Sequence, residues 1–345
     1  MKKGLLEILR CTGCGHSSFS LEGQEENSLE IRSGRVLCGH CQASYNIEKG
    51  ILDFFTNAPL SAVRERKAMD EDEYIADERG KRYRITPDTI ETFKDKFLSF
   101  PEGDDSGFFK RGGSFQTIKE ASDRFYATLD YLRLTGKERI LEIGACFSYA
   151  SSKFAKKGCS VVAVDISNYL KVSELFIKSS YFDRVFSDMH DMPFTDNAFD
   201  IVFGSAVFHH TADLARLFRE ARRVLKPGGR LVLINESARG VFEKVHPVFE
   251  EMSKRGFSDT SYTIDDWKRG AAAGGFKKPR VEFLSLADDY ITRHKNRDSK
   301  INFKIKTAHF IARHRRLENF LLFFLAPLRI FFRPKSWRLI CYKNG

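Results

Sequence analysis

The sequence predicts an α/β fold built on a doubly wound, mostly parallel sheet, with a small cysteine-bearing module in front of it. Two observations predict the sheet. From Arg139 onward, short β-branched-rich runs (RILEI, VVAVD, RVFSD, FDIVFGSAVF, GGRLVLINE) alternate with helical stretches such as DLARLFREARRVL. Strands apolar on both faces and interleaved with helices are those of a parallel sheet covered on both sides. Glycines and acids also cluster just past these runs, at the carboxyl ends where such sheets bind ligands. A third observation, two CxxC pairs within the first 41 residues, predicts the module.

The composition allows this architecture and removes others. In 345 residues, 42% hydrophobic and 30% charged, there is material for a sizeable core, which excludes collagen-like and wholly disordered chains. The formal net charge is +11, and it is unevenly placed: residues 286–345 hold 14 Lys/Arg against 4 Asp/Glu. That tail implies a local anionic partner. The start, MKKGLLEILRC, lacks the apolar core of a signal peptide. The longest apolar run, Phe320 to Leu328, has 9 residues and contains Pro327, against the roughly 20 that a spanning helix needs. A cytoplasmic protein is expected. The seven cysteines are an odd number with four in CxxC pairs, which indicates a reducing compartment and a metal site.

Cys11-Thr-Gly-Cys14 and Cys38-Gly-His-Cys41 are separated by 23 residues, and the intervening LEGQEENSLEIRSGRV reads as a hairpin. Two such knuckles bring four soft ligands into tetrahedral reach, which suits structural Zn²⁺ and leaves no open coordination position. His16 and His40 are alternative ligands or residues beside the site. The stretch LCGHCQASYNIEKGILDFF resembles the small zinc-ribbon protein that activates several tRNA and protein methyltransferases. It also resembles the amino-terminal zinc module of certain rRNA guanine methyltransferases. On this reading residues 1–57 form a zinc-ribbon module that stabilises and docks. Residues 58–134 form a linker and helical lid. SAVRERKAMDEDEYIADERG within it is a linker or a solvated helix, FPEGDDSGFFKRGGS is a loop, and Ile118, Phe125, Leu129 and Leu132 mark an amphipathic helix.

In 135–345, four features fall at strand ends. Gly144 follows the first strand and permits a tight turn, with Glu142 beside it to accept hydrogen bonds. Asp165 ends the second strand, where a carboxylate can take both hydroxyls of a ribose. Asp188-Met189 follows the third, and the loop Gly204-Ser205 to His209-His210 follows the fourth. Together with VLKPGGRLVLINE and the Tyr262 to Phe276 segment, these stretches resemble class I S-adenosylmethionine-dependent methyltransferases, with their seven-stranded Rossmann-like sheet. The resemblance implies S-adenosyl-L-methionine as cofactor. Glu142 and Gly144 would meet its methionine part, Asp165 its ribose, and Asp188 with the Met189 backbone its adenine, with Ser148, Ile166 and Ser205 as further cofactor-binding residues. The family often has glycine where this chain has Cys146 and Ser148.

Alignment is most of what methyl transfer requires, plus a base when the acceptor carries a proton. His209, His210 and Glu236 are the candidate bases, although His209-His210 also reads as a structural dipeptide. No Asn/Asp-Pro-Pro-aromatic motif follows the fourth strand, which disfavours adenine amines. No Pro-Cys pair lies there either, which disfavours covalent attack on pyrimidines. RVEFL and SWRLICYK read as the last two strands, with 286–334 a basic, apolar insertion between them. Residues 303–333 suit three roles: a lid over the site, contact with the inner face of an anionic membrane, or contact with RNA phosphates. The expected activity is methyl transfer to an oxygen or nitrogen acceptor on a small-molecule or lipid/glycan-linked substrate. The alternatives are an rRNA or tRNA methyltransferase and a non-catalytic zinc-binding scaffold.

Overall fold

A computed structural model describes residues 1–55, 58–72, 74–77, 79–104, 119, 121–245, 247–284, 337–344, and eight scattered positions between 306 and 321. Most of the predicted insertion 286–334, together with residues 105–118, which include the rest of the glycine-rich loop and Ile118, lies outside the described residues.

The strands in chain order are β1 (Phe19–Glu26), β2 (Ile31–Cys38), β3 (Ser44–Glu48), β4 (Ile51–Asp53), β5 (Tyr74–Ala76), β6 (Arg82–Arg84), β7 (Arg139–Ile143), β8 (Ser160–Asp165), β9 (Asp183–Phe186), β10 (Phe199–Ser205), β11 (Leu225–Ile234), β12 (Arg280–Phe283) and β13 (Trp337–Tyr342). β5 and β6 form a separate small hairpin; the other eleven make one sheet, ordered β1-β2-β3-β4-β9-β8-β7-β10-β11-β13-β12. Its seven-stranded part runs from β9 to β12. There β9, β8, β7, β10 and β11 are mutually parallel and β13 is antiparallel to both its neighbours. The apolar runs become fully covered strands, since every residue of Ile140–Ile143 and Val161–Asp165 is buried. The amphipathic stretch expected after β10 is the helix Leu214–Val224, which buries Leu214, Leu217, Phe218, Ala221 and Val224; Asp213 caps it by accepting from the Arg216 amide at 2.9 Å.

The cysteine module does not dock as a separate body. β4 pairs in parallel with β9, so the hairpin β1–β2 and strands β3–β4 extend the central sheet. A buried ion network fastens the joint. Arg184 on β9 donates to Glu30 Oε1 at 2.6 Å, to Glu174 Oε2 at 3.0 Å and to the Lys49 carbonyl at 3.0 Å. Arg184 is fully buried and Glu30 nearly so. Gly50, at φ +77°, turns the chain beside them, where a Cβ would run into the Glu30 carboxylate and the Arg184 guanidinium. A second seam joins the first knuckle to the loop after β9. There Leu9 bridges Phe194, Arg10 donates to the Pro193 carbonyl at 3.0 Å, and Thr195 donates to the Ile8 carbonyl at 2.8 Å. The outer strand β1 is irregular, with register shifts around Glu25, and most of it is exposed.

The charged stretch after the module differs from expectation. It forms the helix Leu60–Asp72, and that helix is not solvated all round: Ala62, Glu65 and Ala68 are buried. Their spacing of three residues and three again puts them on one face of the helix.

Candidate active site

A cavity of about 440 Å³ opens at the carboxyl ends of β7, β8, β9 and β10. Seven of the eight residues that sequence reasoning assigned to the cofactor line it: Glu142, Gly144, Asp165, Ile166, Asp188, Met189 and Ser205. The eighth, Ser148, is fully buried but does not line the cavity, and its hydroxyl has no hydrogen-bond partner among the described residues.

The turn after β7 explains how this wall is made. Gly144 adopts φ +65°, and a Cβ there would strike the Val207 side chain. Cys146 and Ser148, at φ 45° and 61°, hold left-handed backbone without being glycine, which costs each about 1 kcal/mol. Asp165 helps to hold that geometry: Oδ2 accepts from the Cys146 amide at 2.6 Å and Oδ1 from the Ser167 amide at 2.8 Å. Burial holds its carboxyl above the ordinary range despite those amides. Glu142 Oε2 accepts from the Ser151 amide at 2.7 Å and from the Ser151 hydroxyl. Burial, aided by the charge of Asp165, pushes Glu142 up to about 8 against the pull of Ser151. Asp188 is different. Burial acts on it too, but its Oδ1 takes the His190 amide at 2.9 Å and pairs with His190 Nδ1 at 2.8 Å, and His190 with Arg216 brings it below the usual carboxylate range.

The three candidate bases separate. His210 lines the cavity; His209 and Glu236 do not. Glu236 is spent on the loop itself, accepting from the amides of Val207 and Phe208 at 2.9 Å each and pairing with His209 Nδ1 at 2.9 Å. These bonds hold the loop after β10 in place. Sequence reasoning missed several lining residues. Ala62, Glu65 and Met69 come from the charged helix, and Tyr149, Tyr169 and Asn235 from the strand ends and the segments after them. Asn235 links its neighbours, accepting from Arg124 Nε at 2.7 Å and donating to Ser205 Oγ at 2.9 Å.

The four module cysteines converge as their spacing predicts. Their sulfur atoms all lie within 4.8 Å of one another, with Cys11–Cys41 and Cys14–Cys38 each at 3.6 Å. A tetrahedral ion with metal–sulfur bonds of about 2.3 Å sets sulfurs ~3.8 Å apart, so the donor set fits one. The Tyr45 hydroxyl lies 3.1 Å from Cys11 Sγ. Burial raises the Cys11 thiol, but Tyr45 and the amides of Cys14 and Gly13 outweigh it and bring it to about 6. His16 and His40 stack on each other at 3.7 Å, exposed beside this cluster.

Residues 141–233, from β7 to the last residues of β11, match the family described as the methyltransferase domain. This segment is a methyltransferase domain. Around it the chain is 29% identical over 146 residues to the methyltransferase GfsG of Streptomyces halstedii, covering 40% of this chain and 52% of that protein. It is 26% identical over 133 residues to malonyl-[acyl-carrier protein] O-methyltransferase 1 of Coxiella burnetii, covering 39% and 45%. The chain thus spans about half the length of the curated relatives it matches. Among solved structures it is similar to Haemonchus contortus phosphoethanolamine N-methyltransferase 2 in complex with S-adenosyl-L-methionine, at 19% identity and a TM-score of 0.48, covering 77% of this chain and 62% of that one. Within the matched segment, the turn after β7, Asp165 at the end of β8 and the loop after β9 are among the elements that line the cavity.

Proposed function

We propose that the chain is an S-adenosylmethionine-dependent methyltransferase that acts on an oxygen or nitrogen acceptor of a small-molecule or lipid/glycan-linked substrate. We also propose that Cys11, Cys14, Cys38 and Cys41 hold a structural zinc ion. The observation that carries the first reading is the convergence of Glu142, Gly144, Asp165, Asp188 and Met189 on one cavity. When bound, the cofactor supplies a methyl group on a sulfonium. Within the chain, Gly144 leaves room for the methionine part, with Glu142 beside it to receive its ammonium. Asp165 keeps lone pairs for ribose hydroxyls beyond those given to Cys146 and Ser167, and Asp188 and Met189 frame the adenine. The apolar walls exclude water, which strengthens each of these contacts.

Calorimetric titration with S-adenosylhomocysteine tests it. The wild type is expected to bind, and Asp165→Ala to lose at least tenfold in affinity, the worth of one charge-assisted hydrogen bond. Equal, negligible binding by both proteins would defeat the reading. Metal analysis of the purified protein is expected to return one equivalent of zinc, lost in a Cys38→Ser variant.

A further inference from the structure

His210 stands apart from the other candidate bases because two carboxylates from outside its own loop converge on it. Its Nδ1 meets the carboxylate of Asp259, and both side chains are largely buried. Asp259 sits on a segment tied to the His210 loop from both sides. The Thr260 amide donates to the His209 carbonyl at 2.8 Å, and the Tyr262 hydroxyl donates to the Thr211 carbonyl at 2.5 Å. The second carboxylate is Glu65, on the helix Leu60–Asp72. Its side chain is buried, bonds to Ser258 next to Asp259, and lines the same cavity as His210. With Nδ1 in ion-pair contact with Asp259, the other ring nitrogen is left for a ligand.

We propose that His210 takes the proton of a hydroxyl-bearing acceptor, positioned for it by Asp259, and that Glu65 completes this acceptor pocket from the linker helix. This rests on the methyltransferase reading above and narrows its acceptor to one that must lose a proton. In the step the acceptor O–H bond breaks and its proton passes to His210 Nε2. The oxygen electron pair forms the new carbon–oxygen bond as the methyl–sulfur bond breaks with its pair on sulfur. The imidazolium so formed is balanced by Asp259, and an already ionised carboxylic acid would have no use for such a base. The groups facing His210 agree with this role. Burial alone would lower its basicity, but Asp259, Glu65 and Glu236 together hold it above the ordinary imidazole value, and Asp165 faces it across the cavity.

The test follows the His210 ring by proton–nitrogen NMR on the full chain with S-adenosylhomocysteine bound, from about pH 5 to about pH 9. Asp259→Asn, which keeps the shape and removes the charge, is expected to lower the His210 midpoint by about one pH unit, a tenfold change in the proton equilibrium. Glu65→Gln is expected to lower it by less. In parallel, transfer of labelled methyl from S-adenosylmethionine is measured for a panel of phenols, sugar hydroxyls and carboxylic acids. Label is expected only on hydroxyls, with the acid limb of kcat/KM moving with the NMR midpoint in Asp259→Asn. A midpoint unmoved by Asp259→Asn, or label on carboxylic acids at a pH-independent rate, would overturn the proposal. A wild type that binds no S-adenosylhomocysteine would instead remove the methyltransferase reading beneath it.

Discussion

Two buried carboxylates on adjacent strands, Glu142 and Asp165, lie close enough for the charge of one to raise the other. Glu142 is held near 8, so at neutral pH the empty site keeps its proton. A ligand that brings an ammonium to it favours the ionised form and expels that proton. Affinity for S-adenosylmethionine is therefore expected to rise between about pH 6 and pH 8 and then level off, with proton release measurable by calorimetry in buffers of differing ionisation enthalpy. Glu142→Gln should flatten the curve. Folding stability should move the other way. From about 4.5 to about 8 the unfolded chain ionises this group while the folded state does not, so stability falls with rising pH across that window. The acids and Gly144 were legible in the sequence because each sits at the end of an apolar run, where a polar residue has a ligand-facing reason to be. Asp259 was not legible. It lies in the turn FSDTSY, with no periodicity or motif around it, and only the folded backbone brings it to His210.

At the level of elements, the strands of the parallel sheet were readable because burial on both faces writes itself as uninterrupted apolar sequence. The helix Leu60–Asp72 shows the opposite case. Seven of its 13 residues are charged, and its buried face consists of Ala62, Glu65 and Ala68, two small residues and an acid. Such a face leaves almost no apolar signal, so the stretch reads as solvated. Since Ala62, Glu65 and Met69 line the cavity, adding S-adenosylhomocysteine should slow amide exchange across 60–72 while leaving the β1–β2 hairpin unchanged. Equal exchange with and without ligand would mean that the helix does not close over it. Ser148 is a separate exception. The resemblance placed it against the cofactor, yet its left-handed turn buries the hydroxyl away from the cavity.

The whole molecule depends on the join between β4 and β9. Arg184 and Glu30 are both buried there, and removing one takes away the other's fully buried partner, leaving Glu30 to the Met1 ammonium and Arg32, or Arg184 to Glu174. Arg184→Met is expected to cost on the order of 3–5 kcal/mol in denaturant unfolding, and the Arg184→Met/Glu30→Met double variant distinctly less than the sum of the two singles. Additive losses would show that the ion pair contributes nothing to the joint. The sequence could not announce this join, because the parallel pairing of Ile51–Asp53 with Arg184–Phe186 links segments more than 130 residues apart.

Growing the sheet to eleven strands also moves its margin. β9 would otherwise be an outer strand; among the described residues β1 is instead, and its outward backbone donors and acceptors invite a second chain to pair with it. Glu22, Glu25 and Glu26, spread along that rim where the pairing is already irregular, make such an approach a meeting of like charges. Self-association through this edge should therefore be resisted most at low salt and near neutral pH, and least where those acids are protonated.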